Sequence, residues 1–86
     1  MYYDNQLGIH ASALKHGVSA ADALLAATQY TVMAELAEDR ELRLGFDSSG
    51  RLIETVVIVL GSGRSVVIHA MPARRKFWAL LDRRQI

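Results

Sequence analysis

Between Ile68 and Trp78 the chain reads I-H-A-M-P-A-R-R-K-F-W. A histidine leaves an apolar run and meets the sole proline, Pro72. Three cations follow, Arg74, Arg75 and Lys76, and then two aromatics, Phe77 and Trp78. Histidine is the side chain that titrates nearest neutrality, so it is the usual proton carrier. Arginine and lysine bind the oxygens of a polyanion. The stretch therefore suits binding, or cutting, a polyanion. The ordinary alternative is a strand end followed by a solvated helix face.

A second group depends on how the strands pair. If the turn at 47–50 folds symmetrically, Phe46 meets Arg51 and Arg43 meets Glu54. If Gly61-Ser62 is a two-residue turn, Glu54 lies opposite His69. Arg43, Glu54 and His69 then form a row on one sheet face, able to hold a phosphate and move a proton. A three-residue turn shifts the pairing by one and sends His69 to the opposite face. The ordinary form of such a triple is a cross-strand ion pair beside a satisfied histidine. Lys15 and His16 precede Gly17 in the last turn of an expected helix, where the dipole alone favours basic groups. No metal site is expected. His10 and His16 share a helix face poorly, His69 is remote in sequence, and no carboxylate–histidine spacing matches a metal motif.

The rest of the chain must position these groups. Its 86 residues suit one domain, 1–86, with a small core. Half the residues are hydrophobic, which excludes a disordered chain. There is no cysteine, hence no disulfide or thiolate site. No run is long enough to span a membrane and no signal-peptide pattern is present. A cytoplasmic protein is expected. The formal net charge is only +1, but acidic residues gather at Glu35, Glu38, Asp39 and Glu41, while Arg74, Arg75, Lys76, Arg83 and Arg84 crowd the end against Asp82. That asymmetry fits a local anion patch better than general nucleic-acid affinity.

Residues 1–8 give little signal and are read as partly extended. Residues 9–16 have helical spacing, stopped by Gly17. Ser19 is a good N-cap with Asp22 three residues on, so a second helix is expected over 20–27. Residues 30–36 fit strand or helix. Leu42, Leu44 and Phe46 alternate as in a half-buried strand. Residues 51–60 read as a central strand or as a face buried by a homodimer or partner protein. Residues 64–70 form a third strand, Pro72 stops the sheet, and 73–82 form an amphipathic C-terminal helix bearing Phe77, Leu80 and Leu81. The class is α+β: N-terminal helices, an antiparallel meander of three to four strands and a C-terminal helix.

Four segments occur in one order: K15-H-G-V-S19 at a helix corner, D39-R-E-L-R-L-G45 opening a strand, G50-R-L52 after a turn, and I68-H-A70 leading into a basic and aromatic helix. Over about residues 9–81 this order resembles the BrnT toxins of the RelE-like superfamily. The resemblance implies a type II toxin–antitoxin toxin that is a metal-independent endoribonuclease without cofactor. It also implies a cognate antitoxin that covers the toxin and represses its operon, in a homodimeric or toxin–antitoxin heterotetrameric assembly. In this setting His69 is expected to be the general acid or base. Arg74, Lys76 and Arg43 would stabilise the phosphorane, with Lys15 and His16 lining the same cleft. Arg40, Arg51 and Arg75 would position phosphates, and Trp78 or Tyr30 would stack on a base. Trp78 has packing against the sheet as its ordinary role. The sequence departs from the family where Ser-Ala-Arg is usual and His69-Ala70-Met71 stands, and where Phe77 replaces a common glutamate. Arg74 and Lys76 are placed to supply the positive charge so lost. The competing class is a non-catalytic module whose basic C-terminal helix binds nucleic acid or an acidic partner protein.

Overall fold

A computed structural model describes residues 7–84, with the side chains of 82–84 excepted. The expected extension of residues 1–6 and the charges of Asp82, Arg83 and Arg84 lie outside the described residues. The elements are β1 (Leu7–Ile9), a 3-10 turn (Ala11–Leu14), α1 (Ala20–Thr28), β2 (Tyr30–Ala37), β3 (Arg40–Phe46), β4 (Leu52–Val59), β5 (Ser65–Pro72), a second 3-10 turn (Arg75–Phe77) and α2 (Ala79–Arg84). The five strands make one sheet in the order β1-β5-β4-β3-β2. β2 to β5 form an antiparallel meander, and β1 joins β5 in parallel.

The α+β class and the central position of β4 match the sequence expectation. Three details differ. The sheet is mixed and has five strands, because Leu7–Ile9 pairs with β5 and residues 30–37 are strand. The first expected helix is a 3-10 turn in which His10 Nδ1 accepts from the Ser12 N–H. The C-terminal helix is split into a 3-10 turn and a short α-helix. The helix at 20–28 does form as expected. Ser19 Oγ accepts from the Asp22 N–H at its start.

One sheet face carries Gly45, Ile53, Thr55, Val57, Val67 and Ala70, and α1 lies on it through Ala23, Ala26 and Ala27. Small residues let the helix come close. A Cβ built on Gly45 would stand 2.2 Å from the Ala26 carbonyl oxygen. The opposite face carries Leu42, Leu44, Glu54 and Val56. The C-terminal segment runs onto this side, where the Arg74 N–H donates to Glu54, and α2 reaches β2.

The β3–β4 and β4–β5 hairpins, the two considered above, close through three-residue loops. Asp47 N–H donates to the Arg51 carbonyl and Leu60 N–H to the Arg64 carbonyl, with Gly50 at φ 84° and Gly63 at φ 89°. The last loop residue needs the left-handed conformation that glycine adopts without strain. Each loop is therefore one residue longer than the symmetric turns considered above. In the first hairpin Phe46 pairs with Leu52 and Arg43 with Thr55, so Arg43 is not opposite Glu54. In the second, Val59 pairs with Ser65, a register that by itself would turn His69 toward α1. A bulge turns His69 back to the Glu54 face but not to the expected pair: Glu54 lies opposite Met71, not His69, and reaches the imidazole along the diagonal. Val57 pairs with Val67 but Val56 pairs with His69, leaving Ile68 as the extra residue. The N-terminal segment satisfies the backbone at this irregularity: His10 N–H donates to the Val67 carbonyl at 2.9 Å and Ser12 Oγ to the Ile68 carbonyl at 2.7 Å.

Candidate functional site

Glu54 is the anchor of the site. It sits in the central strand, is 0% exposed, and faces away from α1. Its neighbours satisfy it fully. His69 Nε2 lies 3.0 Å from Oε2. Arg74 donates from Nη2 to Oε2 at 2.7 Å, from Nε to both oxygens at 3.1 and 3.2 Å, and from its backbone N–H to Oε1 at 2.9 Å. Burial opposes ionisation of Glu54, but the hydrogen bonds from Arg74 and His69 outweigh it and hold the carboxyl below its usual range. An ionised carboxylate only accepts, so Nε2 of His69 carries the proton and Nδ1 is left as the free ring nitrogen of the neutral tautomer. The same carboxylate raises the Arg74 guanidinium above its ordinary range.

The side chains of His69 and Arg74 remain 24% and 48% exposed. They line an open cleft of about 430 Å³ with Leu36, Ala37, Arg40, Val56 and Ile68. Two cations and an imidazole thus face an apolar floor. Arg40 pairs only loosely with Asp39, at 4.0 Å, and both are exposed. His16 joins the group from the N-terminal side. Its ring meets that of His69 edge to face, with centroids 5.4 Å apart. Lys15 precedes it and is exposed.

The C-terminal turn sets its cations against aromatic rings. Arg74 and Lys76 lie over Phe77, at 5.3 and 5.1 Å from its centroid, and Arg75 lies 5.3 Å over Trp78. Trp78 does not take the packed role that is ordinary for it. It is 47% exposed and its indole N–H donates to the Ala73 carbonyl.

Three of the residues expected at the site, Arg43, Tyr30 and Arg51, lie elsewhere. Arg43 stands on the α1 side of the sheet. There it pairs with Glu41, donates to the Ala27 carbonyl at the end of α1 and covers the Tyr30 ring at 4.9 Å. The longer first loop is the physical reason, and it removes Arg43 from the row; Tyr30, expected to stack on a base, pairs with Gly45 and lies on the α1 side under Arg43. Arg51 is committed to the β3–β4 turn. It donates to Asp47 from Nε at 3.0 Å and from its backbone N–H at 2.8 Å. Sequence reading named Glu54 only as a member of the row and left Ser12 out. The signal for Glu54 was present: it is the one charge inside the apolar run Leu52–Val59.

Asp47 and Glu54 make stability acid-sensitive. The Arg51 N–H foremost, against the opposing effect of burial and with help from Ser49, lowers Asp47 from 3.8 to about 2. A group with a depressed folded pKa contributes stability that is complete above its unfolded pKa and is lost as pH falls through the folded one. Urea midpoints should therefore decline from about pH 4.5 toward pH 2. Asp47→Asn should start lower at pH 5 and decline less. An equal decline in both proteins would remove Asp47 from this account.

Among the described residues, no three His, Asp or Glu side chains gather as a metal site, and no helix is long and apolar enough to cross a membrane. No family model, curated protein or solved structure matches this chain.

Proposed function

We propose that this chain is a metal-independent endoribonuclease of the BrnT-like, RelE-like kind, acting in the cytoplasm as the toxin of a type II toxin–antitoxin pair. The observation that carries the reading is the buried Glu54 carboxylate, which holds His69 and Arg74 together at the wall of a cationic cleft. The order of the K15-H-G-V-S19, D39–G45 and I68-H-A70 segments supports it from the sequence side. The antitoxin, a small protein, is the partner that goes with it, in a heterotetramer or against a toxin dimer.

RNA cleavage without a metal uses the 2′-hydroxyl as nucleophile. It needs a base for that proton, positive charge for the phosphorane, and an acid for the leaving 5′-oxygen. His69 supplies proton transfer through its free Nδ1. Glu54 fixes the ring and stabilises the imidazolium formed on protonation, as a buried carboxylate does behind a catalytic histidine. Arg74 faces the phosphate with the guanidinium edge that Glu54 does not occupy, and Arg40 adds charge from the opposite wall. Lys76 and Arg75 extend the positive surface along the strand backbone of the RNA. The exposed Trp78 face offers a stacking platform for a base.

The test is cleavage of single-stranded RNA by the purified chain in EDTA, without ribosomes, beside Arg74→Ala and His69→Ala. Cleavage by the wild type that is lost in both folded variants is the expected result. RNA retained on the protein but never cut, with growth unaffected on expression, would instead favour the non-catalytic binding module.

A further inference from the structure

On the ribonuclease reading, we infer that proton transfer is divided between two histidines: His69 takes the proton from the 2′-hydroxyl and His16 delivers one to the departing 5′-oxygen. No local pattern pairs these residues, which lie far apart along the chain; only the resemblance placed them in one cleft. The fold does so by construction. The Ile68 bulge turns His69 onto the cleft side, and the hydrogen bonds that satisfy it come from His10 and Ser12, just before His16. Gly17 at φ 82° then bends the chain away, and Val18 beyond it is buried. His16 is thus held at a corner that is pinned on both sides.

The two rings have different surroundings, and these assign the roles. His69 has a carboxylate behind it, so the positive charge gained on accepting a proton is stabilised where it forms. That suits a base. His16 is exposed and, among the described residues, makes no hydrogen bond; its ring meets that of His69. It can take a proton from solvent and carry it in as an acid. Groups that serve the entering and leaving oxygens of one phosphorane must each lie within a hydrogen bond of it. Two rings 5.4 Å apart, with their planes at 65°, can border one phosphate from two sides. The Arg74 guanidinium beside them holds the non-bridging oxygens.

The step balances without a further reactant. The bond from the 2′-oxygen to phosphorus forms and the bond from phosphorus to the 5′-oxygen breaks. The hydroxyl proton goes to Nδ1 of His69, and the proton on His16 goes to the 5′-oxygen. The products end in a 2′,3′-cyclic phosphate and a free 5′-hydroxyl.

The experiment compares an RNA oligonucleotide with one carrying sulfur in place of the 5′-bridging oxygen at the cleaved bond. A thiolate leaves without being protonated, so the sulfur substrate needs no general acid. His16→Ala should slow the oxygen substrate about 100-fold or more and cleave the sulfur substrate near the wild-type rate. His69→Ala should slow both. Because His16 is exposed, circular dichroism of His16→Ala should match the wild type, and His16→Gln serves as a second variant at the same corner. Wild-type rates for both His16 variants on the oxygen substrate would overturn the inference, as would a slow His16→Ala that sulfur fails to restore. No cleavage of either substrate by the wild type would instead bring down the ribonuclease reading, and this inference with it.

Discussion

Glu54→Gln should lower kcat for RNA cleavage by about 100-fold or more and leave KM within a few-fold. The amide keeps the size and shape of the side chain. It loses the charge that holds His69 with its proton on Nε2 and that stabilises the imidazolium formed in the reaction. A histidine free to adopt the other tautomer presents an N–H where a lone pair is needed. Arg74 keeps its backbone N–H contact with Oε1 of residue 54, and its guanidinium, no longer held by a carboxylate, can still meet phosphate, which is why binding is expected to survive. The division between kcat and KM is the informative readout. A Glu54 that serves the fold alone would give a Gln variant with a lower melting temperature and unchanged kcat in the fraction that remains folded. That result would reduce the Glu54–His69–Arg74 group to an ordinary buried ion pair. Such pairs often contribute little net stability, because desolvation of the charges offsets their attraction, yet removing one partner alone destabilises by leaving the other without its counter-charge.

The largest structural effect is expected at Gly45. Gly45→Val should destabilise the chain by about 3 kcal/mol, and Gly45→Ala by about 2 kcal/mol, in urea denaturation at neutral pH. The obstacle is backbone. A new Cβ would stand 2.2 Å from the Ala26 carbonyl oxygen, 2.9 Å from its carbon and 3.0 Å from its Cα. No side chain can rotate aside to make room, so α1 must lift from β3 and open the contacts around Ala23, Ala26, Ala27, Ile53 and Val57. The consequence for function is indirect. α1 is on the face opposite the cleft, so the fraction of Gly45→Ala that folds should retain its cleavage rate per molecule. A Gly45→Val protein as stable as the wild type would mean that α1 is not held this closely to the sheet.

Much of the local structure could be read from residue types. Ser19 and Asp22 marked the start of α1, Leu42, Leu44 and Phe46 marked β3 by alternation, and Gly50 and Gly63 marked the turns. Residues 30–36 could not be assigned, because their spacing fits both periods and it is pairing with β3 that makes them strand. β1 is three residues long; a segment so short carries no periodic signal and exists only because β5 offers it an edge. The C-terminal cations were visible as a cluster, but not that their positions over Phe77 and Trp78 would leave the indole half exposed.

The site was legible as a set of candidates and not as an arrangement. Side chains along a strand alternate between faces, so a change of one residue in register reverses every assignment. Each glycine that closes a hairpin lengthens its loop by one residue. In the first hairpin this moves Arg43 to the α1 side. In the second it would have moved His69 there as well, had the Ile68 bulge not added a second change of one. The sequence alone determined which residue types exist to do chemistry, where the chain turns, and that a carboxylate lies inside the apolar central strand. Tertiary structure decided which of them meet. That choice rests on a parity, and the parity rests on a bulge whose carbonyl is satisfied by the Ser12 hydroxyl, 56 residues away along the chain. Local sequence cannot encode such a contact, because it exists only once the N-terminal segment has docked against β5.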